Sequence, residues 1–397
     1  MRQVMLRAVF MRGGTSNAIM LREADLPEER ELWAPIFLAA MGSPDPNGRQ
    51  LDGMGGGLSS LSKVCVIGPP SRPDADVDFT FAQVSVKDAA VDYSGNCGNM
   101  SSAVGPFAVD EGLVPAGGDE AVVRIHNTNT NKIIVSRFAL DDGLAAVDGD
   151  FKLPGVAGTG APIRLEFLDP GGSGTGKLLP TGAPAEVLEA PGLGPITASL
   201  VDAANPCVFV PADALGTSGA EMPDALDAPD LLDKLEAVRR AASVRMGIAK
   251  TPHEAAQLPS VPKVALVSEP QAAKTLSGET LAPNDMDLTV RMISMGQPHR
   301  AVPLTGALCL AVASRIEGTV VNAVARAPAS PEDDVRIAQP SGLTVVGARV
   351  RKEKEWIAES AVVYRTARRL MEGSVLVRAS KAAEARPSLR RAAPPAA

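Results

Sequence analysis

Two stretches of the 397-residue chain recur in the same order and at nearly the same spacing. Leu58-Ser59-Ser60-Leu61-Ser62-Lys63-Val64 lines up with Leu258-Pro259-Ser260-Val261-Pro262-Lys263-Val264, and Cys97-Gly98-Asn99-Met100-Ser101 with Pro303-Leu304-Thr305-Gly306-Ala307, offsets of 200 and 206 residues. Each of the second pair opens an apolar stretch that closes on a Glu-Gly pair, Glu111-Gly112 and Glu317-Gly318. Ordered self-similarity at a near-constant offset is the mark of a duplicated architecture. The expectation is two related halves, each with one apolar helix, the two helix N-termini facing each other across a cleft.

The elements inside the halves are short. β-branched runs at 64–67, 77–86, 122–125, 132–139, 196–201 and 208–210 read as strands, and 28–41, 101–111, 230–246, 305–316 and 365–371 read as helices. Many strands with few helices predict an α+β fold rather than regular βαβ winding. The stretch 180–195 is rich in Pro and Gly, which sets the expected domains at 1–186 and 187–380, the last strand having the option of returning to the first domain. Residues 381–397 carry Ala, Arg and Pro without apolar periodicity and read as a mobile tail. Aromatic residues are only 3%, so the core is expected to be built from Ala, Val, Leu and Ile.

Charge and cysteine usage exclude several functions. The net charge of −7 argues against nucleic-acid binding, which needs a basic face to release counterions, but leaves room for a small anionic ligand in a locally positive site. Four cysteines and three histidines are scattered without a CxxC pair, so neither a metal site nor a disulfide framework is expected. No apolar run nears the ~18 residues of a membrane span, and the N-terminus has no signal-like pattern. The reading is a soluble cytoplasmic protein with no nucleic-acid or membrane partner; a homodimer stays an option.

Three clusters carry candidate chemistry. Gly95-Asn96-Cys97-Gly98-Asn99 stands between a strand and a helix, where unpaired amides and the helix dipole favour an anion and stabilise a thiolate. Cys65, Cys207 and Cys309 lie in apolar runs and read as small buried hydrophobes. The second cluster is Gly53-Met54-Gly55-Gly56-Gly57-Leu58-Ser59-Ser60-Leu61-Ser62-Lys63, which lacks the spacing of a P-loop or a dinucleotide fingerprint. It reads instead as a backbone cradle for a carboxylate, with Ser59 and Ser60 at its rim and Lys63 aimed into a protected region. In the third, Arg12-Gly13-Gly14-Thr15-Ser16, Arg12 offers a fork for a carboxylate and Gly14, Thr15 and Ser16 offer amides and hydroxyls. In the second half Arg291 and His299 precede the helix start at Thr305-Gly306.

These motifs, with Gly42-Ser43-Pro44-Asp45, Phe81-Ala82-Gln83-Val84, Val104-Gly105-Pro106-Phe107-Ala108 and Arg365-Thr366-Ala367-Arg368-Arg369-Leu370-Met371, resemble the PrpF family from about residue 8 to about residue 377. The resemblance implies a diaminopimelate epimerase-like fold: two pseudo-symmetric α+β domains, each a barrel-like sheet around a central helix, with the active site in the cleft between them. It implies a cofactor-free isomerase of small unsaturated di- and tricarboxylates, with Lys63 and Cys97 catalytic. Arg12, Gly14, Thr15, Ser16, Ser59, Ser60, Asn96, Gly98, Asn99, Arg291, His299, Thr305 and Gly306 are then the expected substrate-binding residues, with no metal. The chain departs from the epimerase pattern at Pro303, where a second cysteine would stand, so two-thiol racemisation is excluded.

Three anionic anchors, at the Cys97 helix start, the Arg12 turn and the Thr305-Gly306 helix start, favour a tricarboxylate of 2-methylaconitate or aconitate type. 3-Methylitaconate ranks second and 4-oxalomesaconate third. The reading from another class is a non-catalytic carboxylate-binding accessory of an aconitase-like partner.

Overall fold

The computed structural model describes residues 3–330, 333–381 and 390–391. The chain forms two compact units, Met1–Leu165 with Tyr364–Ala397, and Glu166–Val363. It therefore passes from one unit to the other at Leu165/Glu166, not at the expected 186/187, and comes back at Val363/Tyr364. The Pro- and Gly-rich stretch lies inside unit 2, where Gly192 and Gly194, both at positive φ, turn a hairpin between Glu186–Ala190 and Gly194–Ala203. Most of the expected tail lies outside the described residues; the backbone of Arg390–Arg391 pairs with Val4 and Met5.

In unit 1 the elements used below are β1 (Gln3–Gly13), β2 (Ser16–Arg22), α1 (Trp33–Met41), β3 (Lys63–Gly68), β4 (Val77–Val84), β5 (Val91–Asp92), α2 (Gly98–Asp110), β6 (Glu120–Asn127) and β7 (Lys132–Asp141). Unit 2 contributes β8 (Gly194–Ala203), β9 (Asn205–Pro211), α3 (Pro229–Arg245), β10 (Lys263–Ser268), β11 (Leu288–Ser294), β12 (Gln297–Pro298), α4 (Leu304–Ser314), β13 (Val335–Gln339) and β14 (Gly342–Lys352). β15 (Trp356–Arg365) leads back into unit 1, which β16 (Ala367–Arg378) completes.

The two units share one wiring. In unit 1, β1–β2 is antiparallel, β2–β3 parallel, β3–β4 antiparallel, β4–β6 parallel and β6–β7 antiparallel. In unit 2, β8–β9, β9–β10, β10–β11, β11–β13 and β13–β14 repeat those five pairings in the same order and sense. Lys63 and Lys263 each lead the third strand of this series, and Cys97 and Pro303 are each the N-cap of the central helix. The duplication read from the sequence is thus a duplication of topology.

Strand alternation sorts each sheet into two faces. In unit 1, Val64 and Val66 of β3, Ala82 of β4 and Ile19 and Leu21 of β2 pack on α1 in one apolar cluster. The opposite face turns to α2, which is buried on every side from Met100 to Val109, as a helix enclosed by a sheet must be. Unit 2 repeats the pattern, with Val264, Leu266 and Ile293 on the α3 side and α4 buried almost throughout. Burying a helix within a sheet favours small side chains. A Cβ on Gly105 would stand 2.6 Å from Ser136 Oγ.

In the sequence 365–371, expected to be helical, Arg365 ends β15 and residues 367–371 belong to β16. β16 lies antiparallel to β1 along its whole length, and the open edge of β1 decides the conformation over local helix propensity. None of the described helices is long and apolar enough to cross a membrane.

Candidate active site

In unit 1, Lys63 is 7% exposed and opens β3 opposite Gln83 of β4. Its Nζ donates to Gln83 Oε1 and lies 5.1 Å from the centre of the Phe81 ring. The Gln83 amide also donates to the carbonyls of Ser59 (3.0 Å) and Ser62 (2.9 Å), so one side chain fixes both the lysine and the turn before it. Gln83 received no role from the sequence. Its signal was a lone amide in a strand whose other residues are all buried.

Cys97 caps α2 by its backbone alone: no side chain caps this helix, and the first intrahelical bond runs from Ser101 N to Cys97 O. The amides of Gly98, Asn99 and Met100 therefore have no acceptor within the helix and sit at the positive end of its dipole. Lys63 and Cys97 both act on the buried thiol of Cys65. Burial pushes the Cys65 thiol well up, Cys97 adds to the rise and Lys63 opposes it. Cys65, Cys207 and Cys309 are buried and Cys97 is half-exposed, as their neighbours predicted.

Gly14 and Thr15 form the two-residue turn between β1 and β2, with Ser16 buried and paired to Gly13. Gly14 has φ of +53°, and a Cβ there would meet Asn99 Oδ1 at 2.4 Å, so glycine is required both by conformation and by the close approach of α2. The Asn99 amide donates to Thr15 Oγ1 at 3.0 Å, tying the turn to the helix start. Asn96 accepts a long bond from Ser101 Oγ, 3.4 Å, just ahead of the same start.

Three expectations are corrected. The Gly53–Gly57 stretch is not an open cradle. The amides of Gly53, Met54, Gly55 and Gly56 go to backbone carbonyls, and that of Gly57 goes to the buried side chain of Gln50. Ser59 and Ser60 lie in the short turn that follows, Ser59 exposed. The Nη1 of Arg12 is committed to the carbonyls of Gly14 (2.9 Å) and Thr366 (3.0 Å), so this arginine first of all fixes its own turn. Arg291 shares the face of β11 that carries Ile293 toward α3, because alternate strand residues point the same way. Its guanidinium donates to the carbonyls of Glu221 and Val290, away from Met292, which packs on α4. Burial pushes Arg291 down to about 10.

On the α4 side of unit 2, Lys263 Nζ donates to Ser294 Oγ at 3.1 Å, and burial lowers its pKa. His299 is lowered as well, by burial first and by Lys263 second, and its Nε2 has no hydrogen-bond partner among the described residues. Gly306 is a packing glycine, since a Cβ would stand 2.4 Å from Met292 Sδ. Thr305 is half-buried in the first turn of α4.

A sheet wrapped around a helix, done twice, is the diaminopimelate epimerase-like architecture. The chain belongs to the PrpF family, whose model (PrpF protein) matches residues 3–378. It is 44% identical to the 3-methylitaconate isomerase of Eubacterium barkeri, over 96% of this chain and 99% of that one. It is 39% identical to the 2-methyl-aconitate isomerase of Shewanella oneidensis, over 94% and 97%. A crystal structure of methylitaconate-delta-isomerase superimposes with a TM-score of 0.90 at 43% identity, covering 96% of this chain and 98% of that chain.

Proposed function

We propose that this protein is a cofactor-independent isomerase of small unsaturated di- or tricarboxylates, and that Lys63 and Cys97 carry the proton transfer. The observation behind this reading is the uncapped start of α2, with a thiol at its N-cap, in the same unit as a buried lysine held by Gln83. Lys63 is the base in this reading and removes a proton from the carbon allylic to a carboxylate-conjugated double bond. Gln83 Oε1 accepts an N–H that a neutral amine still has, which leaves the nitrogen lone pair for the substrate. The resulting dienolate spreads its charge onto a carboxylate, where the amides of Gly98, Asn99 and Met100 stabilise it as it develops. The Cys97 thiol then returns a proton. Transfer from the Lys63 ammonium to the Cys97 thiolate, directly or through water, resets the site. Return to the original carbon after bond rotation gives cis–trans isomerisation; return elsewhere moves the double bond.

A tricarboxylate of 2-methylaconitate or aconitate type is the first reading, supported by the 39% identity to a 2-methyl-aconitate isomerase. The 44% identity to a 3-methylitaconate isomerase favours the second reading, a double-bond shift in a dicarboxylate. Incubation of the protein with aconitate, 2-methylaconitate, 3-methylitaconate and 4-oxalomesaconate in deuterated water tests both. Isomerisation of one of them with deuterium at the allylic carbon is the expected outcome. No turnover and no exchange with any of the four would end the enzyme reading in favour of a carboxylate-binding accessory. Between the two residues, exchange in Cys97→Ser but none in Lys63→Ala supports the roles given; the opposite pattern exchanges them.

A further inference from the structure

Arg365 ends β15 and is 8% exposed, yet among the described residues no carboxylate pairs with it. Its Nε donates to Asn99 Oδ1 at 3.2 Å and its Nη1 to the Tyr364 carbonyl at 2.8 Å, both neutral acceptors. Burial alone pushes it down to about 10. Nearby stand two further positive features. Asn99 is the second residue of α2, so the guanidinium adjoins the positive end of the helix dipole. Arg12, half-buried, is bonded to the Thr366 carbonyl next in sequence; its pKa is lowered by burial and then by Arg368, and it too has no carboxylate partner among the described residues.

A buried charge without a counter-ion is strongly unfavourable, and the half-buried Arg12 adds a second positive charge near the same helix start. The hydrogen bonds around Asn99 have a direction as well. Its Oδ1 accepts from Arg365 and its Nδ2 donates to Thr15 Oγ1, so the hydroxyl proton of Thr15 is left free to be donated elsewhere. Arginine, amide and hydroxyl thus form a chain that ends in an unused donor on the exposed Thr15, beside the uncapped amides of α2.

We propose that Arg365, together with Asn99, Thr15 and the start of α2, forms a carboxylate subsite within unit 1, and that Arg365 sets its preference for a substrate carboxylate. The missing counter-ion is the ligand. This rests on the carboxylate reading above and adds a residue to it. Arg365 is a positioning residue: it holds Asn99, which holds Thr15, and it supplies the charge that keeps the anion against the helix start.

Two probes test the subsite, malonate and tricarballylate, with binding measured by titration calorimetry and turnover measured separately. Loss of a buried positive charge near the anion, together with the hydrogen bond that holds Asn99, is expected to cost about 10-fold or more in affinity. Arg365→Gln is expected to weaken tricarballylate by that factor and to raise KM more than it lowers kcat, and Arg365→Lys to recover part of the loss. A folded Arg365→Gln protein with the circular dichroism and probe affinity of the wild type overturns the proposal. Should that variant fail to fold, Asn99→Ala keeps the charge and breaks the chain to Thr15. About a threefold or larger loss of probe affinity there supports the subsite, and unchanged affinity overturns it. Arg365-dependent probe binding without turnover of any unsaturated acid would remove the isomerase reading and leave the subsite standing. Turnover indifferent to Arg365 would do the reverse.

Discussion

In unit 1 the lysine that leads the third strand faces Gln83 and Phe81, and the enclosed helix begins at a thiol. In unit 2 the corresponding lysine, Lys263, faces Ser294, and the enclosed helix begins at Pro303. The strand pairings are the same in both, so backbone geometry alone does not separate the two places. What separates them is proton chemistry. A thiol can give or take a proton and proline can do neither, while Arg12 and Arg365, with no carboxylate partner among the described residues, add positive charge around the start of the unit 1 helix. Duplication supplied two similar frames, and side chains at a few positions made one of them a candidate for catalysis.

The sharpest way to break this comparison is to remove each lysine. Lys63→Ala should lower kcat by about 10²–10⁴-fold, the usual contribution of a general base, whereas Lys263→Ala should change it by less than about tenfold. Steady-state kinetics on the converted acid decide it, and equal losses would mean that both frames act in the chemistry. Next in size is the packing of the two enclosed helices. Gly105 of α2 and Ala311 of α4 stand eight residues after their N-caps. Gly105→Ala would press a methyl to 2.6 Å from Ser136 Oγ and 2.8 Å from Phe138 Cε1 and should cost about 1–3 kcal/mol. Ala311→Gly should cost about 1 kcal/mol, chiefly through helix propensity. Urea unfolding of the two variants measures both; a neutral Gly105→Ala would show that the sheet around α2 can open.

The smallest effect is in pH. Tyr93 and His299 each lie four residues before their helix N-cap. Tyr93 is pushed up to about 12, chiefly by burial, and does not titrate near neutrality. His299 is depressed by burial and by Lys263, so the folded protein binds its proton less tightly than the unfolded chain. Its contribution is present above about pH 6.5 and is lost as pH falls through the depressed pKa. Thermal melts at pH 7.5 and 5.5 should show a smaller fall in Tm for His299→Gln than for the wild type. An equal fall would place the acid sensitivity elsewhere.

Much of the unit 1 site was legible before the structure, because its signals are local. Gly95-Asn96-Cys97-Gly98-Asn99 puts a thiol, flexible backbone and a helix start within five residues, and Gly13-Gly14-Thr15 puts a turn where two hydroxyls follow. Arg291 misled for a reason equally local. An arginine in an apolar run just upstream of the helix start looks like a ligand group, but strand alternation turns it to the other face of its sheet, toward α3. The glycine loop misled because composition reveals how freely the backbone bends and not where its amides are spent. Here Gln50 and the neighbouring carbonyls take them.

By itself the sequence determined the duplication, the short strands, the two apolar helices and the contrast between Cys97 and the three buried cysteines, since each is carried by periodicity or by immediate neighbours. Tertiary structure alone decided that Gln83 meets Lys63 across a strand pair, that residues 367–371 are strand rather than helix, and that Arg365 reaches Asn99 across 266 residues of chain. A hydrogen bond between residues so far apart leaves no repeat, period or spacing in the sequence. It exists only because β1 offers an edge to β16 and the sheet closes around α2, which brings the end of β15 to the start of that helix.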